Sequence, residues 1–265
     1  MSTRALRTAA TGMYAQQLNI QVISNNIANM NTTSFKKSRA EFKDLMYQEV
    51  AANPKQEVSP GTVEETNSKV QVGSGVKTSS TQKVFQQGDL QQTGHQLDMA
   101  INGDGFFQVR KTDGTFAYTR DGSFKISSEG SLVTADGYLI EPGFTLAEQA
   151  QSIQVSRDGV VSAKEVGGDI VELGTIELAK FVNPGGLLAL GDNLFAESEA
   201  SGVPLIGQAG QEGFGEIHQG YLESSNVDIV EEMISMISAQ RSYEINSKTV
   251  KTVEEMMSIA NNLKR

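Results

Sequence analysis

The side chains that most often carry out catalysis or bind metals are few in this chain and far apart. Only two histidines are present, His95 and His218, and neither has a partner at the spacing of a metal site or a catalytic triad. Cysteine is absent, so a disulfide, a thiolate metal site and a cysteine nucleophile are all excluded. We interpret both histidines as ordinary surface or loop residues, and we predict no bound metal.

Two other patterns resemble active-site motifs without completing them. Gly103-Asp104-Gly105 begins like a dinucleotide-binding fingerprint, but Gln108 occupies the position of the third glycine, and a strand-like run follows instead of a helix. Carboxylate pairs such as Glu254-Glu255 are typical of solvated faces, and the sequence leaves a catalytic pair open without favouring one. We therefore predict that the protein has no cofactor and is not an enzyme.

The distribution of charge argues against a nucleic-acid partner. The chain has 22 Lys and Arg against 32 Asp and Glu, a net charge of −10, so its surface as a whole does not attract phosphate backbones. A basic cluster of Lys36, Lys37, Arg39 and Lys43 lies near two phenylalanines. A nucleic-acid site would need a larger basic patch, so we interpret this cluster as the end of a helix or loop that faces an acidic neighbour.

Apolar spacing predicts a helix near the N-terminus. From Leu6 onward, apolar residues recur at alternating intervals of three and four, which is the seam of a coiled coil. Tyr14, Leu18 and Val22 form a second apolar stripe roughly 100° from the first. The pattern stops in the polar segment 29–34. The predicted assembly residues of this seam are Leu6, Ala9, Met13, Ile20, Ile23 and Ile27.

A second long helix is predicted at the C-terminus. Ser225-Asn226-Val227-Asp228 fits a capping box, and no glycine or proline follows Gly220. Val230, Ile234 and Ile237 again form a second stripe beside the main seam. The predicted assembly residues of the main seam are Ile229, Met233, Met236, Tyr243, Val250, Val253 and Met257.

The middle of the chain is predicted to be β-rich, with short strands between Asp-Gly and similar turns. Residues 47–75 are polar and punctuated by proline, and we expect a long loop or an exposed hairpin there. Residues 183–220 are rich in glycine, and we expect them to be irregular. The predicted strands are 106–109, 116–119, 124–126, 132–134, 138–140, 152–156 and 174–182, and the turn dipeptides include Asp113-Gly114, Asp121-Gly122, Glu129-Gly130 and Asp136-Gly137.

These elements predict an α+β fold in which the two terminal helices pair as a coiled coil beside the β-rich middle. Such pairing covers one stripe of each helix and leaves the other for neighbouring copies, whose contacts would close into a ring or continue as a filament. The alternative is an ordinary α+β domain whose ends fold back on the sheet. The predicted segments are an N-terminal helical assembly segment at 1–46, the loop or hairpin at 47–75, the β-rich middle at 76–220 and a C-terminal helical assembly segment at 221–265.

Three groups of motifs resemble the bacterial flagellar rod and hook family, and the resemblance spans nearly the whole chain. Two positions depart from the family pattern: Ser34, where the family usually has Gly, and Ala209, where Pro is expected. The motifs are Thr11-Gly12-Met13, Ile23-Ser24-Asn25-Asn26-Ile27-Ala28-Asn29 and Phe35-Lys36; then Gly105-Phe106-Phe107 and Thr119-Arg120-Asp121-Gly122-Ser123-Phe124; then Glu223-Ser224-Ser225-Asn226-Val227-Asp228 and Gln240-Arg241-Ser242-Tyr243-Glu244-Ile245-Asn246-Ser247-Lys248.

Within the family, the modest middle domain and Phe181-Val182-Asn183-Pro184 resemble the distal-rod branch; proximal-rod and hook-type members are the alternatives. The resemblance implies a self-assembling subunit of a rigid hollow drive shaft that carries torque from motor to hook. It implies partners among other rod proteins, the hook protein, the surrounding ring proteins and the export apparatus. It also implies a place in the flagellar basal body, from periplasm to outer membrane.

The resemblance further implies export through the flagellar type III apparatus without a cleaved signal peptide, which agrees with the lack of an apolar signal core after Arg4 and Arg7. Segment 47–75 lies where rod proteins carry an extra extended segment, and Pro54, Pro60 and Gly61 are its predicted rod-specific residues. A function of a different class, a monomeric β-rich binding module, would not need the terminal seams.

Overall fold

The chain carries a long helix near each end and short strands between them, which confirms the α+β prediction in outline. Helix α1 spans Ser2–Ala28 and helix α2 spans Ile229–Asn262. The computed structural model describes residues 2–51, 69–145, 150–165, 169–211 and 213–263.

Two compact units make up the chain, and each is assembled from segments that are distant in sequence. The first unit contains Met1–Asn25, Ser38–Thr81 and Val230–Arg265. The second unit contains Asn26–Lys37 and Gln82–Ile229. Both helices therefore belong to the first unit over nearly all of their length.

The start of α2 follows from its sequence. The backbone N–H of Val227 donates to the Ser225 hydroxyl at 3.4 Å just before the helix begins. Glu231 and Glu232 lie in the first turn, where the helix dipole favours negative charge. The helix then runs for 34 residues because no glycine or proline interrupts it.

The first unit also contains strands β1 Ser38–Asp44, β2 Gln48–Ala51 and β3 Lys69–Val72, and most of β4 Val76–Lys83. β1 pairs with β4, and β2 pairs antiparallel with β3. The turn before β4 packs against α1, since a Cβ at Gly75 would lie within 2.3 Å of the Thr11 hydroxyl oxygen. That hydroxyl accepts a hydrogen bond from the Val76 N–H at 3.3 Å.

Strand β1 lies within the predicted N-terminal helical assembly segment 1–46, after the point where the helical pattern stops. The apolar residues Ala40 and Phe42 are half-buried, whereas Arg39 and Lys43 are exposed, and the apolar side chains recur at every second residue, as they do in a strand. This alternation was visible in the sequence, but it covers only a few residues between longer helical patterns.

The second unit contains the remaining strands and a 3₁₀ turn at Pro184–Gly186. The strands are β5 Leu90–Gln92, β6 Met99–Asn102, β7 Phe106–Arg110, β8 Phe116–Thr119, β9 Lys125–Ile126, β10 Leu132–Val133, β11 Leu139–Glu141, β12 Ala150–Val155, β13 Val160–Glu165, β14 Ile170–Thr175, β15 Glu177–Lys180, β16 Leu188–Gly191, β17 Leu194–Ala196, β18 Leu205–Gln208, β19 Glu216–Gln219 and β20 Tyr221–Glu223.

A nine-stranded sheet dominates this unit, in the order β16-β17-β8-β7-β11-β10-β9. β15 pairs with the first half of β7 and carries β18 on its other side. β12, β13 and β14 form a separate antiparallel sheet, while β6 pairs with β19 and β5 with β20.

Two hydrophobic clusters form the interior of the second unit. The larger cluster includes Phe107, Val109 and Leu178, and the smaller one contains Phe106 and Phe181. The alternation of neighbours such as Phe106 and Phe107 between the clusters follows from the two-residue period of strands.

The predicted strands of the middle are present in the structure, except that segment 174–182 is not one strand: β14 ends at Thr175, and β15 spans Glu177–Lys180. Two further expectations for this region are wrong. Residues 183–220 are not irregular, because they contain β16 to β19; strands of three or four residues between glycines leave too short a pattern to detect. Asp121-Gly122 is not a hairpin turn, since β8 pairs with β7 and β17 while β9 pairs with β10. Instead, Gly122 lies against the Met99 backbone, where a Cβ would come within 1.5 Å of the carbonyl oxygen.

Candidate functional site

One face of α2 is covered by the rest of the chain. Ala239 and Val253 are buried, and Met236, Val250 and Met257 are half-buried. All five lie on one side of a helix with 3.6 residues per turn. Four of them are predicted seam residues, so the single chain already packs much of that seam.

The opposite side of α2 carries exposed aliphatic side chains. Val230, Met233, Ile234 and Ile237 form this exposed face, with Val230 67% and Ile234 60% exposed. At 100° per residue, Val230 lies about 180° from Ala239 around the helix. Contiguous exposed apolar surface of this kind marks an interaction site.

The predicted seam of α2 is displaced around the helix in its first half. Met233 and Gln240 are exposed, whereas the preceding residues, Glu232 and Ala239, are buried. Ile229 and Tyr243 of the predicted seam are also exposed. Hydrophobicity identified both apolar stripes of α2, but it could not distinguish the stripe covered within the chain from the exposed one.

The predicted seam of α1 lies on covered surface. Ala9 and Ile23 are buried, and the other seam residues are at least half-buried. In the second stripe, Leu18 and Val22 are half-buried and Tyr14 is exposed. The half-buried seam residues are Leu6, Met13, Ile20 and Ile27.

The two helices touch where α1 has its one glycine. A Cβ at Gly12 would lie 3.0 Å from the Nδ2 atom of Asn246 on α2, so the missing side chain permits a close approach of the helices. This contact does not establish the predicted coiled-coil pairing, which requires interlocking side chains along the seam.

The predicted rod-specific residues Pro54, Pro60 and Gly61 lie outside the described residues.

In the second unit, three charged side chains form a buried ion cluster: Lys36, Arg120 and Glu223. The Lys36 ammonium donates to Oε1 of Glu223 at 2.5 Å and to the Gln86 carbonyl at 2.8 Å. Nε of Arg120 donates to Oε2 of Glu223 at 3.0 Å. The side chains of Lys36 and Glu223 are 0% exposed, so this pair is sealed from water, whereas the Arg120 side chain is 6% exposed.

The cluster joins segments that are distant in sequence. Nη1 of Arg120 donates to the carbonyls of Gly103 and Gly105 at 2.8 and 2.7 Å, and the Gly88 N–H donates to Glu223 at 2.9 Å. Lys36 follows the turns after α1, Arg120 follows β8, and Glu223 ends β20. The three motif groups that indicated the family therefore meet at one point.

Asn226 supports the same junction with its side-chain amide. Its Oδ1 accepts the Lys37 N–H at 2.8 Å, and its Nδ2 donates to the carbonyls of Val84 and Gln86 at 2.9 and 3.0 Å. A backbone hydrogen bond also stabilises this junction: the Ser34 N–H donates to the Glu223 carbonyl at 2.8 Å. The segments before α2 and after α1 are thereby tied to each other.

Electrostatics keeps the carboxylate of the cluster ionised. Burial alone would raise the pKa of Glu223, but the charges of Arg120 and Lys36 and the hydrogen bonds from Lys36 and Gly88 hold it below its ordinary value. Burial lowers the pKa of Lys36, and the attraction of Glu223 opposes that change. The charged groups of Lys36, Arg120 and Glu223 are hydrogen-bonded to one another, so the cluster fixes three chain segments by charge.

Sequence reasoning found only part of this cluster. Lys36 faces Glu223, as expected for a basic cluster with an acidic neighbour, whereas Arg39 makes an exposed pair with Glu41 at 3.8 Å. Arg120 and Glu223 stood inside motifs but were not singled out. Glu223 is a single charge between Leu222 and Ser224, and this isolation is a signal that could have identified it, because buried charges must find partners. Arg120 gave no such signal, since Asp121 follows it directly.

The histidines show no shared site. His95 is exposed, and His218 on β19 is half-buried beside Glu216 at 3.7 Å. Among the residues that the structure describes, no group of three or more His, Asp and Glu side chains is placed to hold a metal ion. Neither helix, over its described residues, has an apolar stretch sufficient for a membrane span.

Three family models match the segments described above. The flagella basal body rod protein model matches residues 6–36, the flagellar hook protein FlgE/F/G D1 domain matches residues 100–163, and the flagellar basal body rod FlgEFG protein C-terminal model matches residues 218–263. Together they cover α1, much of the β-rich unit and α2. These matches define a flagellar axial protein of the rod and hook class.

Relatives with nearly full-length similarity narrow this class. The flagellar basal-body rod protein FlgG of Borreliella burgdorferi is 51% identical over 99% of both chains. FlgG of Caulobacter vibrioides is 47% identical over 98% of this chain and 99% of its own, and FlgG of Bacillus subtilis is 41% identical over 99% of both. The chain belongs to the flagellar basal-body rod protein FlgG family.

A solved structure is also similar, but only weakly. The Helicobacter pylori flagellar hook protein FlgE2 is 16% identical, with 71% of this chain and 43% of that chain covered and a TM-score of 0.24. No structural conclusion follows from similarity at this level.

Proposed function

We propose that this chain is a self-assembling structural subunit of the flagellar distal rod, whose polymer is a rigid hollow shaft that carries torque from the motor to the hook. The exposed face of α2 carries the proposal, because a helix with apolar residues on two opposite sides has one side left for another chain. Nearly full-length similarity to rod proteins gives this assembly its biological setting.

Assembly would use the terminal helices. The exposed residues Ile229, Met233 and Tyr243 would contact neighbouring copies. The half-buried residues of both seams, such as Met13 and Met236, would complete their burial in the same contacts. This division supports the proposal that 1–46 and 221–265 are assembly segments and that 76–220 is a distinct β-rich middle. Residues 47–75 would brace neighbouring subunits, with Pro54, Pro60 and Gly61 as the rod-specific residues.

The proposed setting defines the partners and the location. The polymer would contact other rod proteins, the hook protein and the surrounding ring proteins, in a basal body that runs from the periplasm to the outer membrane. The subunit would leave the cytoplasm through the flagellar export apparatus without a cleaved signal peptide. A role without catalysis is supported by the matched families, which are structural, and by the purely electrostatic chemistry of the buried ion cluster.

Sedimentation at rising protein concentration tests self-assembly. We expect the full chain to shift from monomer to large polymers, because contacts between different faces do not close on themselves. Deletion of residues 2–30 is the control and should leave a β-rich monomer. A full chain that stays monomeric at every concentration would instead favour a monomeric binding module.

A further inference from the structure

A pocket in the second unit combines an aromatic floor with cationic groups. Its volume is about 180 Å³, and its lining includes Phe85, Phe106, Phe181, Arg120, Lys180 and Asp104, whose carboxylate pairs with the Lys180 ammonium at 3.1 Å. The aromatic rings pack edge to face, with centroids 5.5 Å apart for Phe85 and Phe106 and 5.7 Å for Phe106 and Phe181. A cavity of ~150 Å³ holds a benzene molecule, so this pocket has room for one branched aliphatic side chain.

Arg120 has a hydrogen-bond donor left over at this pocket. Its side chain is only 6% exposed, and its Nε and Nη1 atoms are committed to Glu223, Gly103 and Gly105. Over the described parts of the chain, Nη2 has no acceptor. The buried ion cluster also contains two cations and one carboxylate. A second carboxylate in the pocket would therefore satisfy the donor and balance the charge.

Beside the pocket lies an exposed apolar edge. Val182 is part of the pocket lining and 83% exposed, and Val203 is 79% exposed. The Asn183 N–H donates to the Ser201 carbonyl at 3.4 Å. The segment that follows β15 and the segment that precedes β18 therefore run side by side beyond the paired residues of these two strands. Among the described strands, β18 pairs only with β15. An edge strand with exposed aliphatic residues is a surface ready for another chain.

The start of β14 has the complementary chemistry. Ile170 is 70% exposed, and both Asp169 and Glu172 beside it are exposed. Ile170 and Glu172 lie on the same face of the strand, about 7 Å apart. In the pocket, the guanidinium carbon of Arg120 is 5.9 Å from the centre of the Phe106 ring, a separation that the side chains of Ile170 and Glu172 can span together.

We propose that the start of β14 on one copy docks into this pocket on the next copy, with Ile170 against the aromatic floor and Glu172 on Nη2 of Arg120. The two surfaces differ, so the contact is heterologous and repeats from copy to copy. The inference rests on the proposed polymer, and it adds a defined contact between β-rich units to the contacts between helices. The exposed face of α2 is a weaker candidate occupant, because a continuous helix face presents a broad surface where the pocket admits one side chain.

Disulfide cross-linking in the polymer tests the contact directly, since the chain has no cysteine of its own. The test variant carries Ile170→Cys with Val182→Cys, and the matched control carries Ile170→Cys with Ile126→Cys, an exposed position on β9 outside the pocket. Mild oxidation of sedimented polymer should give a ladder of dimers, trimers and higher species from the test variant only. Equal ladders from both variants, or a stronger ladder from Val230→Cys with Val182→Cys, would overturn the proposal.

A charge variant adds a second measurement on proteins that still fold. Glu172→Gln should raise the concentration needed for polymerisation about tenfold, as expected when a charged partner of a desolvated guanidinium is lost. Asp169→Asn, on the other face of the strand, should leave the concentration needed for polymerisation unchanged. Equal effects of Glu172→Gln and Asp169→Asn would contradict the docking. If polymer forms but the test variant gives no cross-linked dimers, trimers and higher species, only the docking is refuted. If the wild-type chain never sediments as a polymer, the proposed function is refuted.

Discussion

At the scale of single residues, Ser34 shows how the junction around the buried ion cluster is built. Its φ is 55°, in the left-handed region where glycine has least strain, which accounts for the glycine usual in the family at this position. Here the serine hydroxyl donates to the Arg120 carbonyl at 2.8 Å. Glycine has no side chain and could not form this hydrogen bond. The bond offsets part of the free-energy cost of a positive φ at a serine.

Glu223 is the residue whose loss should matter most to stability. Glu223→Gln leaves Lys36 and Arg120 as buried charges without their carboxylate, and we expect the free energy of unfolding to fall by about 3–5 kcal/mol. Glu141→Gln is the control, because its ion pair with Arg110 at 2.7 Å is partly exposed and should cost about 1 kcal/mol or less. Urea unfolding followed by circular dichroism measures both; equal losses would show that the cluster is not a special source of stability.

The buried carboxylate also predicts a direction for the dependence of stability on pH. Because the folded state holds the pKa of Glu223 below its ordinary 4.5, its stabilising effect is complete above that value and is lost as the pH falls below it. The lowered pKa of Lys36 acts in the alkaline range instead, where folding gains as the pH rises through its ordinary 10.5. The urea midpoints of wild type and Glu223→Gln should therefore converge in acid, and a constant difference would contradict this assignment.

At the scale of elements, α2 separates two tasks on two faces. The face with Ala239 and Val253 stabilises the single chain, because other parts of the chain cover it. The exposed face with Val230 and Ile234 adds little to the stability of a lone subunit. Its apolar character has a physical benefit only when another chain removes it from water.

A charge on the exposed face of α2 should block assembly without unfolding the subunit. Ile234→Asp should change the free energy of unfolding by no more than about 0.5 kcal/mol, but should raise the concentration needed for polymerisation at least about tenfold, since a buried charge is costly. Gln240→Asp places the same charge at an exposed polar position of α2 and should assemble normally. Sedimentation and urea unfolding together separate the two effects, and normal polymers of Ile234→Asp would remove this face from the interface.

At the scale of the whole molecule, the two units should differ in stability. The second unit has two hydrophobic clusters and the buried ion cluster, whereas α2 of the first unit exposes one apolar face. We expect amide protons of α1 and α2 to exchange rapidly in the monomer and slowly in the polymer, while those of β7 and β8 remain protected in both. Equal protection of the helices in both states would show that assembly does not order them.

The sequence by itself determined both helices and, in the middle, strands β7 to β12 and β15, because these depend on periodicity and local turn chemistry. The sequence also contains the motifs around Lys36, Arg120 and Glu223, but it did not indicate that these three residues lie close together in space. Strands β1, β4 to β6, β13 and β16 to β20 and most of β14 were missed, since patterns of a few residues are ambiguous until a neighbouring strand supplies hydrogen bonds.

Only the tertiary structure decided which stripe of α2 is covered, that Asp121-Gly122 packs on the Met99 backbone, and that three distant charges share one buried site. Each of these depends on which segments become neighbours in space. Side-chain periodicity fixes the faces of an element, but the partner of each face is set by packing of the whole chain, which no local pattern encodes.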